Sequence, residues 1–327
     1  MIALILVALA TILASKLTFD GFLERRRAIG VLAAEQAVEF GYGAEALAAD
    51  ALLADSQNSS SQTTLAGPWA QPTQPLPITP QDNPEGEPIG TIQGQIEDMQ
   101  GRFNLNNLGR YIHSAAPAGN GAAAAPPIQD PQPLQQFQRL LESVGLEPKW
   151  AAIARDWIDD NDTPGPEGAE DQVYTSQTPP YRTGNYPMMS PAELMNMPGF
   201  GADRYRKIAP YVTALPSATV SVNICTAPAV VLESLSDNLQ GEWSRSPEVL
   251  DQERKNGCFP DASTFTKILG AKAVAGMKGL SPWGTKSNYF RLTTRVTLGT
   301  TEFTLYSLLM RGQGGKVTPL LRSFGTP

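Results

Sequence analysis

The chain has 327 residues, with 25 basic against 32 acidic side chains, a formal net charge of −7, 17% charged and 41% apolar residues. That balance fits folded protein rather than disorder, allows roughly two domains, and argues against a phosphate backbone as the main partner. With one histidine, His113, and two cysteines, Cys225 and Cys258, a four-ligand Cys/His zinc site cannot be built and any histidine-based triad must use His113, so catalysis is the weaker expectation.

The first fifteen residues, Met1 to Ser15 (MIALILVALATILAS), hold no charge, glycine or proline. They reach only about 22 Å as a helix, but Leu17, Phe19, Phe22 and Leu23 extend the apolar run past Lys16 and Asp20 to a length that spans a bilayer. A cleaved secretory signal would show a basic start and a small-x-small site. No basic residue precedes the run and the helical pattern continues, so a retained anchor is expected. From Lys16 to Asp55 the sequence is rich in Ala, Leu, Glu and Arg and lacks proline. Glu24, Arg25, Arg26 and Arg27 make a charged collar, and one helix from near residue 1 to about 54 is predicted, roughly 80 Å long.

Residues 56–90 are Ser, Gln, Thr and Pro with little periodicity, a surface connection. Strands are predicted over Thr91–Asp98 and about Arg102–Leu108, where Phe103 and Leu105 alternate with Asn104 and Asn106. A second low-complexity stretch, Ala115–Pro133, borders an insert. Helices are predicted over Leu134–Val144, Lys149–Ile158, Ser190–Met195, Asp203–Val212 and Ala227–Leu235, and a strand over Val220–Ile224. Tyr289–Leu298 and Glu302–Met310 alternate across Gly299-Thr300 as a β-hairpin. Strands on both sides of a helical middle give an α+β class.

Two stretches carry possible chemistry. Glu193–Val212 reads as helix, Pro-Gly-Phe-Gly turn and helix, like one helix-hairpin-helix unit, with Arg204, Arg206 and Lys207 nearby. The acidic balance favours a compact core hairpin over nucleic-acid binding. The other is the run Asp156, Asp159, Asp160, Asp162, Glu167, Glu170 and Asp171. It is either a solvated acidic loop or a hard-cation site. Asp160, Asp162, Gly165 and Asp171 fall at positions 1, 3, 6 and 12 of an EF-hand count, but Pro164 and the final aspartate depart from that motif. Cys225 and Cys258, 33 positions apart and outside the cytosol if the anchor is retained, are expected to form a disulfide.

Five segments in order, ALILVALATILAS, GQIEDMQGRFNLNNL, DWIDDNDTPGPEGAEDQVY, PPYRTGNYPM and VSVNICTAPAVVL, make the chain resemble type II secretion system protein K, the largest minor pseudopilins. The resemblance implies a pilin-like fold, a long N-terminal helix packed on an antiparallel sheet with a large inserted, mainly helical domain. Residues 1–22 would be the anchor, 23–128 and 217–327 the two parts of the pilin-like domain, and 129–216 the insert. It implies a single-pass inner-membrane protein with its globular part in the periplasm, no enzymatic activity and no nucleic-acid partner. Its partners would be minor pseudopilins, proteins I and J with protein H as a further candidate, and secreted cargo. Members of this family are associated with calcium, which favours a structural calcium ion on Asp160, Asp162, Glu167, Glu170 and Asp171. The rival readings are a nucleic-acid-binding pilus protein and a periplasmic calcium-dependent enzyme. In pilins generally the fifth mature residue is a glutamate taken to pair with a neighbour's terminal amine. Taking Met1 as the first mature residue, that position is Ile5, and an apolar residue there is expected to suit a subunit that caps the fibre and initiates assembly.

Overall fold

The computed structural model describes residues 1–58, 62–80, 83, 85–112, 127–239, 241–254, 257–270 and 281–325. His113 and part of the second low-complexity stretch lie outside the described residues.

Helix α1, Ile2–Asn58, is continuous for 57 residues, about 85 Å. Its far half lies on a five-stranded antiparallel sheet because the facing positions are small: Ala37, Gly41, Ala44 and Ala48 are buried, followed by Leu52. At Gly41 an added Cβ would stand 3.0 Å from Leu305 Cδ2, so helix and sheet approach as closely as glycine permits. The helix is long and apolar enough to cross a membrane.

The strands are β1 Leu76–Ile78, β2 Gly90–Asp98, β3 Tyr289–Leu298, β4 Thr301–Arg311 and β5 Val317–Phe324, in the spatial order β1-β2-β3-β4-β5. The β3–β4 hairpin forms as expected, pairing Leu298 with Thr301 and Tyr289 with Met310. Phe290, Leu292, Val296, Leu305 and Leu309 alternate along it toward α1 and are buried. Strand β2 pairs with β3 from Gly90↔Leu298 to Asp98↔Phe290, although some 190 residues separate them in the chain.

Those intervening residues build a helical body around one continuous core that runs from Phe103 to Leu269, across the expected boundaries at 129 and 217. Its helices are α2 Pro131–Ser143, α3 Trp150–Ile158, α4 Asp171–Thr175, α5 Gly201–Ile208, α6 Ala229–Glu233, α7 Pro247–Glu253 and α8 Ala262–Leu269. Asp130 caps α2 through its bond from Gln132 N, and Asp261 caps α8 through Thr264 N.

The expected strand over Arg102–Leu108 is corrected to a two-residue bridge, Phe103–Asn104 beside Val212–Thr213, followed by a 3-10 helix at Leu105–Gly109. Alternation misled there because the asparagines face inward. Asn104, Asn106 and Asn107 are buried, and their amides donate to the carbonyls of Ser217, Met188, Leu215 and Val220. The strand about Val222 likewise reduces to Val222–Asn223 beside Trp283–Gly284.

Sheet and body meet at the Asp98 carboxylate. It accepts from Gln100 N at 2.8 Å, Asn223 Nδ2 at 2.9 Å, and the Thr226 and Ser287 hydroxyls at 2.6 Å each. Arg311, paired with Asp55 of α1 at 3.3 Å, donates to Ser287 O and Thr63 Oγ1 in the same buried region. The long helix, the sheet and the helical body are thus joined through one satisfied polar network.

Candidate metal centre and assembly surface

Helix α3 carries Trp150, Ala151, Ala154, Trp157 and Ile158 into the core at helical spacing. Asp156 sits among them, 1% exposed, and Asp159 follows one turn later just past the helix end. The chain then bends through Pro164-Gly165 and returns Glu170, so that single oxygens of Asp156, Asp159 and Glu170 all lie within 4.8 Å of one another. Glycine makes this return possible: a Cβ on Gly168 would fall 1.8 Å from Asp156 Oδ2, and one on Gly165 would fall 2.2 Å from Arg155 Nη2. Gly165 N donates to Asp156 Oδ2 at 2.9 Å, and Asn161 Nδ2 to Asp159 Oδ1 at 2.7 Å.

Glu170 is different, because it is 3% exposed and both its carboxylate oxygens are buried without a hydrogen-bond partner. The nearby Thr183 hydroxyl donates to Asp171 instead, at 3.0 Å. Burial, with the charges of Asp159 and Asp156 beside it, pushes the Glu170 carboxyl up to about 7. Burial and Asp156 push Asp159 up to about 6 against its bond from Asn161, and burial also raises Asp156. A buried cluster of three carboxylates with two unsatisfied oxygens fits a hard divalent cation. Two oxygens on one calcium, each roughly 2.4 Å from it, stand no more than about 4.8 Å apart.

Of the five ligands expected from sequence, the structure brings only Glu170 into this cluster. Asp160, Asp162 and Glu167 are exposed, and Asp162 accepts from Asn185 Nδ2 at 2.9 Å. Asp171 is engaged by Thr183 and by Arg182 at 3.1 Å. The EF-hand count begins at Asp160 and so leaves out Asp156, which lies on α3, and Asp159, which caps its end. Asp156 and Asp159 were legible as an i, i+3 carboxylate pair, the first on an otherwise apolar helix face.

The two cysteines form the expected disulfide, Cys225–Cys258, both buried. Around the Pro198-Gly199 turn, Leu194, Met197, Phe200 and Ile208 enter the core and Gly199 takes φ 83°. Arg204 there donates to the Gly199 and Phe200 carbonyls, and Arg206 pairs with Asp203. Ile5 lies on the exposed apolar end of α1.

The family model "Type II secretion system (T2SS), protein K" matches residues 101–217. A type II secretion system protein K of Klebsiella pneumoniae is 38% identical over 230 residues, covering 69% of this chain and 64% of that one. That of Pectobacterium carotovorum subsp. carotovorum is 30% identical over 330 residues, 99% of this chain and 95% of that one. The fold is shared with a chain in the crystal structure of the GspK-GspI-GspJ complex from enterotoxigenic Escherichia coli. The TM-score is 0.75 at 24% identity, over 92% of this chain and 100% of that one. By the near full-length likeness to its relatives, the chain belongs to the type II secretion system protein K family.

Proposed function

We propose that this chain, a minor pseudopilin of type II secretion by its family, is a non-catalytic end subunit of the pseudopilus. It is anchored once in the inner membrane, holds its body in the periplasm, and is joined to proteins I and J, and to protein H, through α1. The observation that carries this reading is the form of α1. Its first 32 residues are almost wholly exposed, while the helical body leaves the sheet after Asp98 and rejoins it at Tyr289, at the end that packs on the far part of α1 about Leu52. A helix left bare over half its length buries its apolar face only in a bilayer or against other helices. A body larger than the sheet itself would hinder stacking of a further subunit upon it, which suits the end of a fibre.

The GspK relative is found in complex with GspI and GspJ, which supports the choice of partners. The Asp156, Asp159 and Glu170 cluster would hold a structural calcium ion, each carboxylate supplying at least one oxygen ligand. With those groups buried among core side chains, the ion's part is to hold the loop to α3. Co-purification of the full chain in detergent with proteins H, I and J tests the partner assignment. Recovery of I and J with the wild-type chain is expected, and recovery of neither overturns it.

A further inference from the structure

Among residues 1–32 only Leu23 and Gly30 are even partly covered, and the first buried residue of α1 is Ala37. The apolar run of α1, interrupted by charge only at Lys16 and Asp20, ends at Phe22 and Leu23, which places the edge of a hydrocarbon layer near Phe22. Arg25, Arg26 and Arg27 follow at once, within about 8 Å of further rise, at the depth of the polar headgroups. Three consecutive helical positions cover roughly 200° of the circumference, so they form a collar rather than a stripe.

Their side chains lean toward the membrane, because helical Cα–Cβ bonds tilt toward the N-terminus. Arg26 shows this: its guanidinium carbon lies 4.9 Å from the centroid of the Phe22 ring, one turn nearer the apolar segment. Among the described residues none of the three has an ion-pair partner, although the chain as a whole is acidic. Basic residues beside a spanning helix also bias that flank to stay in the cytoplasm. The Cys225–Cys258 disulfide places the body in an oxidising compartment, so the collar persists against that bias.

We propose that Arg25, Arg26 and Arg27 bind the phosphate-bearing headgroups of anionic phospholipids in the leaflet facing the globular body. This rests on α1 crossing the bilayer. Bidentate guanidinium–phosphate contacts fix the depth of the helix and hold the acidic body clear of the like-charged lipid surface. Drawing the subunit out of the membrane into a fibre then requires those contacts to be exchanged.

The test uses the full chain reconstituted in vesicles, with a spin label on Ala28→Cys. Both native cysteines are bonded to each other, so this thiol is uniquely reactive. Collision of the label with a neutral aqueous relaxation reagent should fall about fivefold or more when phosphatidylglycerol replaces part of the phosphatidylcholine, since each basic residue near an anionic surface shifts occupancy roughly fivefold. R25Q/R26Q/R27Q should float with the vesicles equally well and lose this lipid dependence. Equal accessibility in both bilayers, or a dependence that survives the triple substitution, overturns the collar. Loss of the dependence in inorganic phosphate, with the dependence kept in sodium chloride of equal ionic strength, overturns the lipid assignment in favour of a free-phosphate site. Failure to float with either vesicle overturns the anchor reading, and the collar with it.

Discussion

Glu45 of the first helix and Arg322 of the last strand, 277 positions apart, are joined at 2.7 Å with Glu45 almost fully buried. The Ser307 hydroxyl donates to the same carboxylate, and the Arg322 guanidinium stacks 4.7 Å from the Tyr42 ring centroid. The pair pins α1 across the sheet. Arg322→Ala leaves a buried carboxylate with one neutral donor and should cost about 2 to 3 kcal/mol, whereas Glu45→Gln with Arg322→Ala together should cost less than the two changes summed. Urea unfolding of the four proteins reads the coupling, and strict additivity would contradict a clamp.

The disulfide closes a loop of 33 positions, which is worth about 3 to 4 kcal/mol in the chain-entropy treatment. Thiol titration of the denatured, unreduced chain should find no free cysteine. Reduction should lower the melting temperature by several degrees; an unchanged melt would show that the link adds nothing.

Calcium should raise the melting temperature relative to chelator, through mass action on the folded state alone. Glu170→Gln should remove most of that rise. Asp160→Asn and Glu167→Gln, which alter exposed carboxylates outside the cluster, should leave it nearly intact. Loss of the response in those two variants, with retention in the first, would move the ion to the exposed loop.

The same cluster sets a pH dependence. Asp159 and Glu170 titrate near 6 and 7 in the folded chain against roughly 4 when unfolded, so without ion their contribution is present below about 4 and is lost as pH rises through 6 to 7. Chelated protein should therefore melt lower at pH 7.5 than at pH 5.5, and Glu170→Gln should flatten that slope. With calcium the stabilisation should be larger at pH 7.5, since the ion needs deprotonated carboxylates. A calcium effect independent of pH would argue against this ligand set.

Gly168→Ala drives a methyl group to 1.8 Å from Asp156 Oδ2, a contact that backbone movement must relieve. Calcium affinity, followed by titration calorimetry, should fall at least tenfold, while the far core on α2 and α6 remains folded by circular dichroism. Unchanged affinity would mean that the loop does not close on α3.

Much of the frame was legible in the sequence. Helix α1 announces itself through an apolar run followed by a proline-free run of helix formers at Met1–Asp55, and the β3–β4 hairpin through alternation at Tyr289–Met310. Strand β5 was not foreseen because Pro319 interrupts its alternation and a bulge shifts its register at Leu308/Leu309. Helices α7 and α8 are hidden by composition rather than length: α7 has only Val249 and Leu250 as large apolar residues, and α8 carries Ser263, Thr264 and Thr266. The carboxylate cluster was legible in part: Asp156 and Asp159 stand i, i+3 at a predicted helix, whereas the return of Glu170 beside them was not visible. Which carboxylates converge depends on where α3 stops and on two glycines that let the loop fold back, and neither is visible in residue spacing. Asn104, Asn106 and Asn107 mislead for a similar reason: their polar side chains serve distant carbonyls inside the core.

The most direct test of the end-subunit account is electron microscopy of pseudopili assembled with gold-labelled chain. Label confined to fibre ends, about one cluster per labelled fibre, is the predicted result. Label spread along the shaft would contradict it.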